Sequence, residues 1–368
     1  MQIQENVILA PYTTFKIGGP AKYFCIVKNQ FDALEAYEFA KSHQLEVFVL
    51  GGGSNVLVSD DGFNGLVVKV ENKGIEVIDS VNQQSVNSNQ QKILLKVASG
   101  EVWDEVVSFA VKNHWWGLEN LSHIPGSTGA IAVQNVGAYG QEAKNIIKSV
   151  TVFNTQTHQI LELNNADCEF TYRKSIFNTT EKGQYIIFYI TFILSKLPQP
   201  ILTYRDLQER FAKESQSLSE IREAVIEIRN KKYPFPTEAK FGNAGSFFKN
   251  LSLSSEEFSA LKGRVETKFG REQAEILDSK AFITSIEVKV PTAYLLELCG
   301  LKDLQVGGAK INQNQPLVII NETGKATAKE VITLAKRVLK EVYTKFGVKL
   351  SLEPELVGFT DNLFSDIY

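Results

Sequence analysis

Three polar side chains sit among neighbours that would not solvate them well. Arg173 lies in the run Phe170-Thr171-Tyr172-Arg173-Lys174-Ser175-Ile176-Phe177. A half-buried guanidinium there needs an anionic or carbonyl partner. A substrate carboxylate and an internal salt bridge would each serve, and the residues leave both open. Ser246 lies in Gly242-Asn243-Ala244-Gly245-Ser246-Phe247-Phe248-Lys249-Asn250. Small residues and two phenylalanines suit a hydroxyl presented in a tight, water-poor pocket. The segment is not a G-x-S-x-G elbow and no histidine is near it in sequence, so acyl transfer is poorly supported while proton donation stays open. Glu355 lies in Leu352-Glu353-Pro354-Glu355-Leu356-Val357. A carboxylate in an apolar strand is costly unless paired or functional. Glu355 is the stronger candidate, and Glu353 could equally be solvated.

Two glycine-rich segments could hold an extended anionic ligand. Gly51-Gly52-Gly53-Ser54-Asn55 follows the short apolar run Val47–Leu50 directly. Glycines there let backbone N–H groups approach a phosphate closely, although a tight turn is the plainer reading. The second segment runs from Gly117 through Pro125-Gly126-Ser127-Thr128-Gly129-Ala130 to Gln134-Asn135-Val136-Gly137-Ala138-Tyr139-Gly140. Its small residues and hydroxyls can wrap a pyrophosphate, and its amides can satisfy a planar heterocycle. Neither segment is the G-x-G-x-x-G fingerprint, and no G-x-x-x-x-G-K-[ST] occurs. His123, within the second segment, reads as structural.

The positioning elements follow from hydrophobic period and capping signals. Residues 31–43 read as a helix capped by Asp32, with Glu35 three residues on. Strands are expected at 47–50, at GIEVID, at ILLKVASG, and around 147–163 and 185–194, with a helix over 101–115. Residues 117–140 read as a long functional loop. The polar stretch 80–92 reads as an exposed insertion without chemistry. A helix rich in charge precedes Pro234 and Pro236, which suggests a domain boundary near 233–240. A last helix opens at Thr327 with a capping box to Glu330 and ends at Gly347.

The bulk properties exclude several classes. The chain has 368 residues, 43% hydrophobic, with a formal charge of −3, enough apolar content for two or three domains. A nucleic-acid binder would usually carry a basic surplus. Cys25, Cys168 and Cys299 are odd in number and far apart, so neither a disulfide framework nor a metal site is expected. The N-terminus has no signal-peptide pattern and no run is long enough to span a bilayer. A cytoplasmic protein, monomeric or weakly dimeric, is the expectation.

Taken together and in order, GGGSN (51–55), GLENL (117–121), IPGSTGA (124–130), QNVGAYG (134–140), YRKSIF (172–177), GNAGSFFKN (242–250) and LEPEL (352–356) resemble the UDP-N-acetylenolpyruvoylglucosamine reductase family. The likeness spans nearly the whole chain. QPILTYRDL (199–207) resembles the branch that carries a tyrosine loop over the substrate. The resemblance implies an α+β / α/β fold: a two-part FAD-binding domain of the vanillyl-alcohol-oxidase type, over 1–73 and 74–235, then a C-terminal α/β substrate-binding domain over 236–350. Residues 351–368 would return to the active site.

It also implies NADPH-dependent, FAD-mediated reduction of the enolpyruvyl group of a UDP-sugar, giving UDP-N-acetylmuramate for peptidoglycan. Arg173 and Glu355 would stabilise the enolate and Ser246 would protonate it. The cofactor would lie along Gly51, Gly52, Gly53, Ser54, Asn55, Pro125, Gly126, Ser127, Gly129, Ala130, Gln134, Asn135, Gly137, Ala138, Tyr139 and Gly140. Tyr204, Lys232, Asn250 and Gln305 match positions that contact the nucleotide-sugar, and Arg229 looks like a substrate-side cation. Two positions depart from the family pattern. Gly52 stands where an acidic residue is common, and Ala132 where proline is. A flavoprotein oxidase would share the glycine loops without needing Arg173, Ser246 and Glu355. A nucleotide-binding scaffold would need none of the three. A hydrolase using Ser246 would lack a base.

Overall fold

The computed structural model describes residues 1–78, 91–211, 216–232, 235–236, 240–284, 287–359, 363–365 and 367. The insertion expected at 80–92 falls almost wholly outside the described residues, as does Pro234. The chain divides into two units. One comprises Met1–Val7, Ala21–Gly53 and Phe63–Phe235, the other Ile8–Pro20, Ser54–Gly62 and Pro236–Tyr368.

In the first unit, the strand Tyr185–Ser195 is apolar at nearly every position. Successive side chains point to opposite faces of a sheet, so such a strand must be covered on both sides. It is the central member of a five-stranded antiparallel sheet, ordered Ile160–Asn164, Ile147–Asn154, Tyr185–Ser195, Lys92–Ala98, Ile75–Ile78. Ile190, Phe192 and Leu194 pack with Trp103, Val106, Val107, Ile221 and Val225 of the helices Trp103–Lys112 and Leu218–Lys232. Ile186 and Phe188 turn the other way. They join Phe153, Cys25, Ala33, Ala36 and Val68 in a second core. That core is shared with a four-stranded sheet, in which Pro20–Val27 and Val47–Leu50 both run parallel to Phe63–Val70.

The helix expected at 31–43 is Gln30–Ser42, but its cap is Asn29 rather than Asp32. The Asn29 side chain accepts from Phe31 N and Asp32 N, while Asp32 accepts from Lys28 N at 2.9 Å. Asparagine is as good a cap as aspartate, and position alone decides between them. Residues 117–140 are not one irregular loop. They contain a 3-10 turn, Glu119–Leu121, and a short helix, Thr128–Val133. The helix is hidden in the sequence because glycine and threonine open it.

The second unit packs the helices Ser255–Phe269, Arg271–Lys280, Thr292–Leu298 and Ala328–Phe346 with a four-stranded antiparallel sheet. The strand order is Gly242–Ser246, Val318–Asn321, Ala309–Ile311, Gln305–Val306. Thr327 accepts from Glu330 N while Glu330 accepts from Thr327 N, and Gly347 closes the helix with φ 63°. Both ends are as the sequence predicts. A three-stranded sheet completes the unit: Leu251–Leu253, Val288–Val290 and Phe282–Ile283. A parallel pair, Val56–Val58 with Glu355–Val357, accompanies it.

Candidate active site

Within the first unit, Gly51 and Gly52 meet Gly126 and Ser127, while Ser54 and Asn55 fall in the second unit. A Cβ placed on Gly52 would lie 2.4 Å from the Gly126 Cα, and one on Gly51 would lie 2.7 Å from Ser127 Oγ. No side chain fits between the loops, so an acidic residue at position 52 has no room here. Lys69 Nζ donates to the Gly51 carbonyl at 2.8 Å. This fixes that peptide and leaves a cation beneath the loop. Burial lowers the Lys69 pKa more than the Glu71 carboxylate raises it. The amides of Thr128, Gly129 and Ala130 donate to the carbonyls of Glu101, Ser99 and Ser127. Those three N–H groups are therefore engaged within the fold. The contact of bare backbone with bare backbone suits a diphosphate, which needs N–H donors at close range.

The next turn presents Arg173. Gly137–Ala138 pairs with Gln141–Glu142, and the tip is Tyr139-Gly140, both with positive φ, the geometry of a primed hairpin turn. Asn135 ties the base of this hairpin down. Its Nδ2 donates to Glu142 Oε2 and to the Thr171 carbonyl, each at 3.0 Å, and its Oδ1 accepts from Lys144 N. Its side chain is a brace. Arg173 then stands at the tip of a tight turn in which Thr171 and Lys174 exchange both backbone hydrogen bonds. Its φ is 58°, a left-handed conformation rare outside glycine and asparagine and found preferentially at functional sites. Arg173 Nη2 donates to the Gly137 carbonyl at 3.1 Å, and the guanidinium lies 5.4 Å from the centre of the Tyr172 ring. A backbone carbonyl is thus one of its partners.

A third cluster was only half visible in the sequence. The rings of Tyr139 and Tyr204 meet edge to face, with centroids 5.1 Å apart. Lys232 Nζ lies 5.2 Å from the Tyr204 ring centre and 5.4 Å from that of Tyr139, and it pairs with Asp206 at 2.8 Å. Burial alone would lower the Lys232 pKa, but the Asp206 hydrogen bond and the two tyrosines raise it overall. Lys232 is therefore a cation at neutral pH. Tyr204 is 41% exposed, open to a ligand. Asp206 gave no sequence signal beyond its place after Tyr204-Arg205. Arg229, by contrast, is 9% exposed and donates through Nε to the His123 carbonyl at 2.8 Å. His123, expected to be structural, is tied to its neighbours. Its Nε2 meets Asn230 Oδ1 at 3.0 Å, its ring lies against Phe235, and burial lowers its pKa.

The second unit carries the remaining residues. Ser246 ends the strand Gly242–Ser246, opposite Val318. The chain then lies antiparallel to 351–353: Glu353 N donates to the Phe247 carbonyl and Lys249 N to the Ser351 carbonyl, each at 2.9 Å. Phe247 and Phe248 are buried in the unit's core while Ser246 stays half-buried. The phenylalanines therefore anchor the serine and do not enclose it. Two residues on from Glu353, Glu355 opens the strand that runs parallel to Val56–Val58, and its N–H donates to the Asn55 carbonyl at 2.9 Å. Asn55 returns a bond from Nδ2 to the Glu353 carbonyl. Ser246, Glu355 and Asn55 are thus positioned by neighbouring chain segments of one unit. Glu355 is half-buried and not enclosed as its neighbours suggested. Asn250 Oδ1 accepts from Thr292 N at 3.1 Å, at the start of a helix. Gln305 is on the opposite edge strand from Gly242–Ser246 and bonds the Gly307 carbonyl. Three strand spacings, about 14 Å, separate those edges.

Comparison with known proteins decides what this arrangement belongs to. Residues 236–357 match the model of the UDP-N-acetylenolpyruvoylglucosamine reductase C-terminal domain, and residues 21–164 match an FAD binding domain. The UDP-N-acetylenolpyruvoylglucosamine reductase of Flavobacterium johnsoniae is 35% identical over 362 residues, 97% of this chain and 100% of that one. The chain belongs to the UDP-N-acetylenolpyruvoylglucosamine reductase family.

The enzyme of that name from Neisseria gonorrhoeae is 36% identical over 96% of both chains. The crystal structure of the Thermus caldophilus reductase is similar in fold, with a TM-score of 0.63 and 22% identity over 97% of this chain and 99% of that one. As a member of the reductase family, the chain is a flavin-dependent oxidoreductase with FAD as cofactor and NADPH as co-substrate. The glycine contact at Gly52 and Gly126 is the feature of its own structure that fits the FAD diphosphate. Among the described residues, no cluster of His, Cys, Asp and Glu could hold a metal, and no helix is long and apolar enough to cross a membrane.

Proposed function

We propose that this reductase acts on the enolpyruvyl ether of UDP-N-acetylglucosamine through Arg173, Ser246 and Glu355. The observation that carries the assignment is the tethered guanidinium of Arg173, whose Nη2 donates to the Gly137 carbonyl of the 137–142 hairpin at 3.1 Å. FAD, when bound, supplies the hydride that adds to the terminal carbon of the enol ether. Negative charge then builds on the adjacent carbon and its carboxylate. Arg173, with a fixed guanidinium, stabilises that charge electrostatically. Ser246 delivers a proton to the carbon bearing the ether oxygen, which completes the lactyl group. Glu355, half-buried beside the Asn55 carbonyl, orients the polar end of the intermediate. Tyr204 and Lys232 take the nucleotide-sugar, the ammonium meeting phosphate and the phenol stacking or hydrogen-bonding. Asn250 and Gln305, in the second unit, are the further residues assigned to the nucleotide-sugar. Arg229 acts on it indirectly, through the loop it pins at His123. The three cysteines are free, and burial pushes the thiols of Cys25 and Cys168 up to about 12. That suits a reducing cytoplasm.

The test is to follow the two halves of the reaction separately in Ser246→Ala. Bleaching of the bound flavin by NADPH should stay near normal, since no substrate proton is moved. Return of the colour on adding the UDP-sugar should slow by about 10²- to 10⁴-fold, the usual contribution of a positioned acid. A wild-type rate of colour return would remove Ser246 from the mechanism, and loss of both halves together would indicate damaged folding.

A further inference from the structure

A buried amide lies behind the cluster of Tyr139, Tyr204 and Lys232. Asn120 is 1% exposed and sits in the 3-10 turn Glu119–Leu121. Its Nδ2 donates one hydrogen to the Tyr139 carbonyl at 2.7 Å and one to the Ile201 carbonyl at 2.8 Å. An amide nitrogen carries two N–H bonds, and both are used. Because both partners are carbonyls, only one orientation of the amide satisfies them.

The two carbonyls belong to segments far apart in sequence. Tyr139 is the tip of the flavin-binding hairpin. Ile201 is in the connection after the strand Tyr185–Ser195, three residues before Tyr204. The segments are in close contact: a Cβ on Gly140 would lie 2.5 Å from Thr203 Oγ1. The turn that holds Asn120 is itself fixed. Glu119, 1% exposed, accepts from Gly117 N at 2.6 Å, and Gln141 Nε2 donates to the Gly117 carbonyl at 3.0 Å.

We infer that Asn120 is a positioning residue that locks the segment 201–204 onto the Tyr139 hairpin, and so sets the surface formed by Tyr139, Tyr204 and Lys232 against the UDP-sugar. The inference rests on the reading above that Tyr204 and Lys232 bind the nucleotide-sugar. Removing the amide strips the donor from two carbonyls at once and frees the segment to leave the hairpin. Tyr204 then meets the ligand only after the segment has been re-ordered, and apparent affinity falls by the fraction of time it is displaced.

The experiment compares Asn120→Ala, Asn120→Asp, Tyr204→Ala and the double variant Asn120→Ala/Tyr204→Ala, all as FAD-loaded enzyme. Asn120→Ala should raise the apparent KM for the UDP-sugar by about tenfold to a hundredfold, from the loss of two buried hydrogen bonds. NADPH bleaching of the flavin should stay near normal. Trypsin should cut faster after Lys196 and Arg205, which flank the freed segment. The double variant should be little worse than Tyr204→Ala alone, because both act through one segment. Asn120→Asp keeps the shape but lacks the donors, and its KM should improve as the pH falls and the carboxyl regains a proton. A residue that merely supports the fold would show none of this pH dependence.

Additive effects, or an unchanged KM with unchanged proteolysis, would overturn the inference. If Tyr204→Ala itself leaves KM unchanged, the substrate reading of Tyr204 fails. The proteolysis comparison then still decides whether Asn120 holds the segment. Should alanine prevent folding, Asn120→Ser keeps one donor that cannot reach both carbonyls, and it serves in the same comparison.

Discussion

Arg173 and Lys232 are both cations, but their settings ask for different side chains. Arg173 donates to the Gly137 carbonyl through one nitrogen of a planar fork and lies over the Tyr172 ring. A planar fork of this kind can also meet a carboxylate through two parallel hydrogen bonds. Lysine cannot reproduce that fork. Arg173→Lys is expected to lower kcat by about 10²- to 10³-fold, the usual effect of removing a donor that meets developing charge. Flavin content should be unaltered. Steady-state kinetics with the flavin absorbance measured alongside checks this. A change confined to KM would assign Arg173 to ground-state binding instead. Lys232 is a single cation held over two rings and against Asp206. Its raised pKa means that it stays protonated up to and beyond the ordinary lysine value. The apparent KM for the UDP-sugar should therefore show no loss of affinity attributable to Lys232 from neutral pH up to about pH 10. Lys232→Met should raise KM across that range. An inflection in KM near pH 8 that disappears in Lys232→Met would contradict the pairing.

At the scale of elements, the two glycine-rich loops are one object. Gly52→Ala would drive a methyl group into the Gly126 backbone, and the loops must part to accept it. Its FAD dissociation constant, measured by quenching of flavin fluorescence on titration, should rise well above wild type while the far-ultraviolet circular dichroism is retained. An unchanged constant would place the diphosphate elsewhere. The sequence revealed the glycines and their order but not that contact, because close approach between residues 52 and 126 depends on how the strand Val47–Leu50 is stacked. Local signals fared better. The Thr327–Glu330 capping box and Gly347 were readable since every participant lies within a turn of the helix end. The cap at Asn29 was misread because two good capping residues stand three apart. The Ser246 and Glu355 neighbourhoods were legible as motifs. Their real exposure was not, since it depends on which way Phe247, Phe248 and Leu356 turn. Asp206 and Asn120 lie inside the quoted segments QPILTYRDL and GLENL without any sign of what they bond, and Lys69 left no signature. Each acts on a partner distant in sequence, which a single chain cannot report.

For the whole molecule, the division into two units means that FAD binding is linked to the stability of the first unit. A ligand that binds only the folded state adds about 2.7 kcal/mol at a concentration one hundred times its dissociation constant. Thermal unfolding should accordingly shift upward with added FAD. It should shift much less in Gly52→Ala at the same FAD concentration. An equal shift in both proteins would mean that the glycine contact does not hold the cofactor.

As a member of its family, this chain passes two electrons from NADPH, by way of bound FAD, to the enolpyruvyl group of a UDP-sugar. The direct measurement is made anaerobically on the purified, FAD-loaded protein, with one equivalent of NADPH followed by UDP-N-acetylenolpyruvoylglucosamine. The yellow absorbance should bleach with NADPH and return with the UDP-sugar, and the recovered sugar nucleotide should be heavier by the mass of two hydrogens. Bleaching followed by no return of colour and no change in the sugar's mass would contradict it.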